Sequence, residues 1–396
     1  MDKNINDIII ELCSTDKCTG CGACFNICPK KAITMKEDKY GFYVPDINNN
    51  LCIKCNLCTK VCPELNPVNK NIKVKSPIAL INKDNSIVKQ STSGGMFSLM
   101  ADYIINNGGN VYGAKMDNSF ETFHVAANNK KQLSELRGSK YVQSSTRSTF
   151  SEVKNDLKNG KLVLYTGTPC QIAGLINFLG NIDRKNLITS DIVCHGTPSN
   201  LMFKSYIKKL AESFNVRTED INDFRFREYE KWDILPSCKI NGKRIKLTYE
   251  NNVFMNLFLK NRLNRECCYK CRYATQERVS DITIADFWGI SKHNPLSFKT
   301  PNGCSMVLLN TDKGASFFNK ISELAQYEFR NWDEALKVNH QLYRPSYKPQ
   351  DREEAIKMLL YSSLKDIFNH FINNPKLKLR RLVADIFRAT GILKKQ

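Results

Sequence analysis

Short apolar runs alternate with amphipathic stretches along most of this chain. "IALINK" (78–83) is an unbroken apolar run with a polar close and reads as a strand. "STSGGMFSLMADYIINNGG" (91–109) then reads as a turn and a helix. "KLVLYTGTPCQIAGLINFLG" (161–180) is a strand, a Gly/Pro turn and an apolar helix. "LITSDIVCHGTPSNLMFKSYIKKL" (187–210) repeats that design, with Pro198 placed to start the helix. In "DITIADFWGI" (281–290) the alternation predicts a buried strand, with Asp281 and Asp286 as caps or pocket groups and Phe287 and Trp288 as core. "KGASFFNKISELAQY" (313–327) and "YSSLKDIFNHFINN" (361–374) carry helical periodicity.

Before residue 66 this pattern is replaced by cysteines. "CTGCGACFNICP" and "CIKCNLCTKVCP" both read Cys-x2-Cys-x2-Cys-x3-Cys-Pro. Three thiolates at this spacing wrap one face of a cubane, and the fourth ligates the other cluster. Cys18, Cys21, Cys24 and Cys62 should therefore hold one [4Fe–4S] cluster, and Cys28, Cys52, Cys55 and Cys58 the second. Gly20 and Gly22 let backbone amides approach the sulfurs, and Pro29 and Pro63 turn the chain away. The competing reading, a pair of zinc knuckles, does not call for a closing proline in both repeats. Residues 10–65 resemble the bacterial two-cluster ferredoxin.

Sixteen cysteines in 396 residues fit metal ligation better than a disulfide scaffold, which favours oxidising compartments and shorter chains. Successive strand–helix units build a parallel sheet whose ligand sites gather beyond the strand C-termini. Cys170 and Cys194 each lie just past such an end and can be neighbours. With Cys268 and Cys271 of "ECCYKCRYA" they form a candidate third [4Fe–4S] site. A zinc site, a redox dithiol or four inert buried thiols remain open, His195 could replace a ligand, and Cys267 competes with Cys268. Cys13, Cys238 and Cys304 have no evident partner and read as structural. Ser91, Ser93, Gly94 and Gly95 sit at a helix start, where an anion site and ordinary capping are both open.

The net charge of +20 invites a nucleic-acid reading, but residues 1–66 balance eight Lys against eight Asp and Glu. The surplus lies in the remaining chain, where anionic cofactors, acidic redox partners or a membrane surface account for it equally well. No helix-turn-helix or zinc-finger pattern supports nucleic acid, and none is expected as a partner. No signal peptide or membrane-length apolar run is present, so a cytoplasmic location is expected. The terminal "KLKLRRLVADIFRATGILKKQ" places Leu379, Leu382, Val383, Ile386 and Phe387 on one face, flanked by Lys376, Lys378, Arg380, Arg381 and Arg388. It is a candidate peripheral membrane contact, with a docked C-terminal helix as the plainer reading.

"RGSKYVQSS", "YTGTPCQIAGL", "DIVCHGTPS", "CYKCRYA" and "RVSDITIADFWGI" occur in this order. Together they resemble the beta subunits of coenzyme F420 hydrogenase and dehydrogenase, in the bacterial form fused to a two-cluster ferredoxin. The resemblance spans roughly residues 10–310. It implies an α/β flavoprotein domain that binds FAD beside a [4Fe–4S] cluster, exchanging electrons with a redox partner protein or ferredoxin and a small-molecule acceptor or donor. It places Ser93, Gly94 and Gly95 in a flavin-binding turn, Lys140 and Tyr141 as groups steadying a reduced, anionic flavin, and Thr166, Gly167, Thr168 and Gln171 in the same pocket. Lys140 reads equally well as a solvated surface lysine. The expected organisation is α+β/α/β. A ferredoxin module (1–66) and a linker (67–77) lead to an α/β domain with a largely parallel or mixed sheet (78–310). A helical region (311–396) follows. The expected function is an iron–sulfur flavoprotein oxidoreductase, with a non-catalytic electron-transfer subunit as the alternative.

Overall fold

The computed structural model describes residues 12–69, 76–228, 232–290 and 294–373. The basic C-terminal stretch and part of the expected linker lie outside them. The N-terminal module consists of α1 (Ala23–Ile27), a hairpin of β1 (Ile33–Glu37) and β2 (Tyr43–Ile47), and α2 (Leu57–Lys60). Each short helix follows a left-handed residue, Gly22 for α1 and Asn56 for α2, which turns the chain tightly between successive cysteines.

The body is built on an eight-stranded sheet. Its strands are β3 (Ile78–Asn82), β4 (Asn110–Met116), β5 (Thr122–Ala127), β6 (Val163–Gly167) and β7 (Leu187–Ile192), with three more from the second half of the chain. A separate antiparallel sheet of β8 (Ile221–Arg225), β9 (Ser237–Ile240) and β10 (Lys243–Lys246) is inserted before those three. They are β11 (Ile282–Asp286), β12 (Ser305–Leu309) and β13 (Ala325–Phe329), and the large sheet runs β13-β3-β12-β11-β7-β6-β4-β5. The centre, β11, β7, β6 and β4, is parallel, and both flanks are antiparallel. The sheet is thus mixed, with the expected strand–helix units at its heart.

Three helices position the site. α3 (Met96–Asn106) follows the Ser-Gly-Gly turn, α4 (Pro169–Leu179) follows β6, and α5 (Asn200–Ser213) follows β7. Thr168 and Gln171 form a reciprocal capping box at the start of α4, with Pro169 at its first position. α5 begins at Asn200 with Ser199 as its cap, so Pro198 stands one residue before the cap and does not open the helix. The Ser199 hydroxyl accepts from the Met202 amide at 3.2 Å, a bond that proline cannot replace.

The expected boundary at residue 310 falls inside the sheet. Residues 325–329, expected to be helical, form β13 and pair with β3 from Ala325↔Asn82 to Phe329↔Ile78. "SELAQY" is rich in helix formers, but the open edge of β3 supplies hydrogen bonds that local propensity cannot outweigh. Helix formation does hold at α6 (Arg352–Tyr361) and α7 (Leu364–Phe371), which share a core with α5.

The ferredoxin-type module is part of the body's packing. Cys21, Ala23 and Val61 share one apolar cluster with Tyr112 of β4, Tyr165 of β6, and Ile172 and Leu175 of α4. Polar contacts fix its orientation: Thr146 Oγ1 donates to the Cys21 carbonyl at 2.9 Å, and Asn26 Nδ2 to that of Arg147 at 2.7 Å. Arg272 pairs with Glu64 at 3.4 Å.

Candidate redox centre

The eight N-terminal cysteines divide into two sets around two small cavities. Cys18, Cys21, Cys24 and Cys62 line one, together with Cys13. Cys28, Cys52, Cys55 and Cys58 line the other. Each set thus takes its fourth member from the opposite run. The Gly20 amide donates to Cys18 Sγ at 3.4 Å, and the Ala32 amide to Cys28 Sγ at 3.2 Å, as thiolates require.

Cys13 is not the isolated structural residue expected of it. Its sulfur lies 3.8 Å from Cys62 Sγ. The sulfur contact with Cys13 is the main cause holding Cys18 down to about 6 and Cys62 down to about 7. Cys238 and Cys304 are buried core residues as expected, with Cys304 Sγ 3.7 Å from the Leu80 carbonyl.

Cys170, Cys194, Cys268 and Cys271 gather on the wall of a cavity of about 440 Å³ beyond the C-terminal ends of β6, β7 and β11. Cys170 is the second residue of α4, Cys194 follows β7, and Cys268 lies in a short 3-10 turn at Glu266–Lys270. Burial pushes Cys194 up to about 12 and Cys271 up to about 11, and mutual repulsion among these sulfurs adds to both shifts. Cys268 moves the other way, to about 7, because Cys267 donates to it. Cys267 lines the same cavity, so Cys268 is distinguished from it by ligand spacing and by its contact with Thr197. Among the described residues no three His, Cys, Asp or Glu side chains converge as a mononuclear ion would demand.

The first and third sets meet across α4. A Cβ placed on Gly174, one turn beyond Cys170, would stand 2.9 Å from Cys21 Sγ and 3.1 Å from its Cβ. Gly174→Ala is therefore expected to displace the Cys21 loop and to cost about 1–3 kcal/mol. Thermal unfolding reads the cost, and the paramagnetic spectrum of the first set's cluster reads the displacement.

Arg265 bridges the same two sets and was not singled out from the sequence. Its Nε donates to the Cys18 carbonyl at 2.6 Å and its Nη1 to Gln143 Oε1 at 3.3 Å. Its charge lowers the pKa of both Cys18 and Cys268, after the sulfur hydrogen bonds that dominate each. A basic residue three positions before a Cys-x-x-Cys was the available signal.

The other sequence-expected residues fall around two adjoining cavities. Lys140, Tyr141, Thr166, Gly167, Thr168 and Gln171 line the first. Ser93 and Gly95 line the second, of about 320 Å³, and Ser139, Tyr141, His195 and Phe258 belong to both walls. Gly94 lines neither. A Cβ there would lie 2.1 Å from the Leu80 carbonyl oxygen and 2.6 Å from the Ser305 amide, so this glycine lets the turn press onto β3 and β12.

Several polar groups on these walls are already engaged. Gln171 Oε1 accepts from the Thr168 amide at 3.0 Å and Nε2 donates to the Ser144 carbonyl at 2.9 Å. Thr166 Oγ1 donates to the Tyr112 carbonyl, and Ser93 Oγ to that of Cys304, both at 3.0 Å. Asp281 is structural, accepting from the Thr189 amide of β7 at 2.9 Å, whereas Asp286 pairs with Arg227 at 2.6 Å on the second wall. Phe287 is core as expected, but Trp288 stacks on Trp232 and lines the second cavity.

Lys140 is not a solvated surface lysine. Its side chain is half-buried, and its ammonium donates to the carbonyls of Glu135 at 3.0 Å and Arg137 at 2.8 Å. Burial lowers its pKa to about 7. His124, also on the first wall, is buried and held near 4, with Nε2 2.9 Å from the Thr166 carbonyl. Its Nδ1 and Arg265 Nη2 are buried without a partner among the described residues.

Two ferredoxin-like cysteine sets, the first packed against a third that borders a cavity, define an iron–sulfur electron-transfer protein. Comparison with known proteins gives two partial matches. Residues 17–65 match the 4Fe-4S dicluster domain, and residues 160–335 match the C terminus of the coenzyme F420 hydrogenase/dehydrogenase beta subunit. The F subunit of F(420)H(2) dehydrogenase from Methanosarcina mazei is 21% identical over 328 residues, covering 80% of this chain and 85% of that protein. The beta subunit of coenzyme F420 hydrogenase from Methanococcus voltae is 23% identical over 269 residues, 66% of this chain and 85% of that one. A solved chain of the F420-reducing [NiFe] hydrogenase complex of Methanosarcina barkeri aligns with a TM-score of 0.46 and 16% identity, over 76% of this chain and 94% of that one. Residues 160–335 are thus similar to the C terminus of coenzyme F420 hydrogenase/dehydrogenase beta subunits, and a 4Fe-4S dicluster domain precedes them at residues 17–65. No described helix is long and apolar enough to cross a membrane.

Proposed function

We propose that this chain is an iron–sulfur flavoprotein oxidoreductase. Single electrons pass between the two ferredoxin-type clusters, a third [4Fe–4S] cluster held by Cys170, Cys194, Cys268 and Cys271, and FAD. The flavin supplies the change from single electrons to an electron pair, which is exchanged with a small-molecule substrate. The observation that carries this reading is the presence of three thiol sets, the first meeting the third across α4 and the third lining a cavity. The donor sets suit the proposed groups: four thiols per site, amide donors to sulfur, and Arg265 between the inner two. Two adjoining cavities with a shared wall suit an elongated dinucleotide, in the size range of small-molecule sites. Lys140 would set a cation beside the negative part of the cofactor.

The test is anaerobic stopped-flow reduction of the loaded protein. Cluster bleaching should be followed by bleaching at the flavin wavelength. Clusters that bleach in a protein holding no flavin would overturn the reading. The relatives named above are subunits of larger enzymes, which supports a second reading, that of an electron-transfer component. It predicts bound clusters but no turnover of any small acceptor until a partner protein is added.

Lys140 gives this reading a pH signature. In the unliganded protein its pKa of about 7 means that the ammonium loses its proton as pH rises through neutrality. An anionic ligand raises that pKa, so binding takes up a proton above pH 7. FAD affinity should then weaken with rising pH, by at most about tenfold per pH unit. Lys140→Met should flatten the profile measured by fluorescence titration, and an unchanged slope would remove Lys140 from the cofactor site.

A further inference from the structure

The three cysteine sets differ in how far they lie from solvent. Cys21 is packed under α4 against Gly174, and the half-exposed third set lines the wall of the larger cavity. Cys55, in the second set, is the one cysteine of the sixteen that is exposed. If the sets form a relay, its outer terminal is at Cys55.

The surface around that terminal is unusual in two independent ways. Leu51, Ile53 and Leu57 stand 51%, 56% and 36% exposed on the loop that carries Cys52 and Cys55 and at the start of α2, which follows it. Isolated exposed apolar residues are ordinary, but three within seven positions at one cysteine set form a patch. The cavity of this set is lined by Ile53, Leu57 and Lys30, so the patch and the basic loop after Cys28 share one face. The two segments, residues 28–33 and 47–62, contain Lys30, Lys31, Lys54 and Lys60 and no Asp or Glu. The nearest carboxylate along the chain, Asp46, is already paired with Lys36 at 2.6 Å. Lys30, Lys31 and Lys60 alone outweigh the charge of about −2 that a four-thiolate cubane carries. An apolar centre rimmed by one sign of charge is the form of a docking site steered by electrostatics.

We propose that this face, with Cys55 and Ile53 at its centre and Lys30, Lys31 and Lys60 at its rim, docks a small acidic one-electron carrier protein. The proposal rests on the relay reading above and adds where the relay is addressed and by what class of partner. One electron leaves the reduced carrier and enters the oxidised outer cluster, and no atom is transferred. The same face serves the reverse flow. The positive rim selects a carrier with carboxylates around its own redox centre, and the exposed Leu51, Ile53 and Leu57 supply the desolvated contact.

The test uses the full, cluster-loaded chain in anaerobic stopped-flow, with a reduced acidic two-cluster ferredoxin as the probe. The wild-type second-order rate of cluster bleaching should fall steeply as salt is raised. The double variant Lys31→Glu/Lys60→Glu should lose at least about tenfold of that rate at low salt, with a flattened or inverted salt dependence. Reduced methyl viologen at high salt needs no docking and should bleach both proteins alike. A variant rate within twofold of wild type, with the wild-type salt dependence, would overturn the docking proposal alone. Failure of methyl viologen to reduce the clusters of either protein would overturn the relay reading and this proposal with it.

Discussion

Cys268→Ala is expected to remove about four irons per chain while leaving those of the two ferredoxin-type sets in place. Cys268 is the member of the third set whose thiolate is best supported, with its pKa lowered to about 7 by the Cys267 bond and by the Thr197 amide. Its partners Cys170, Cys194 and Cys271 are all pushed up by burial, so they ionise when metal draws the protons off. The variant should lose the third cluster's paramagnetic signal. It should also lose electron delivery to the cavity, although the dicluster domain still bleaches with reductant. Cys267→Ala is the control. Cys267 shares the cavity wall but stands at the wrong spacing from Cys271, so that variant should keep its iron. Iron loss in Cys267→Ala with retention in Cys268→Ala would exchange their roles.

Asp191→Ala should be the most damaging single change to the scaffold. Asp191 lies near the end of β7 and pairs with Arg278 at 3.1 Å, with side chains 0% and 1% exposed. Thr283 Oγ1 donates to the same carboxylate oxygen at 2.5 Å, and Arg278 Nη2 also donates to the Ile192 carbonyl at 2.9 Å. Removing the carboxylate leaves a guanidinium buried without its counter-charge, a loss of about 3–5 kcal/mol. Denaturant unfolding of the apo protein isolates this cost from cluster loss. The pair also clamps the third site from both sides, since Asp191 is three residues before Cys194 and Arg278 seven after Cys271. Iron retention should therefore fall in the loaded variant. A change below about 1 kcal/mol would mean that the pair is not the clamp described.

Much of this architecture was legible because its signals are local. Cysteine spacing divides the ferredoxin-type ligands, and a strand followed by a Gly/Pro turn and an apolar helix announces each parallel unit. From these two rules Cys170, Cys194, Cys268 and Cys271 were expected on one site, and the fold gathers them there. What was hidden depends on contacts distant in sequence. β13 is a strand because β3 has an open edge some 245 positions earlier in the chain. Cys13 carried no spacing signal, and its place beside Cys62 follows from how the chain enters the module. Arg265 reads as one more basic residue until the Cys18 carbonyl is seen against it. Lys140 could not be told from a surface lysine because partial burial is a tertiary property. Gly94 was grouped with the pocket because a glycine needed for close packing reads the same as one needed for a ligand.

The central claim is that three cysteine sets form a relay ending at a flavin. Counting iron, sulfide and flavin per chain after anaerobic purification tests it most directly. About twelve irons, matching sulfide and one flavin are the result this account predicts. About eight irons without flavin would contradict it, leaving an electron carrier whose third cysteine set serves some other purpose.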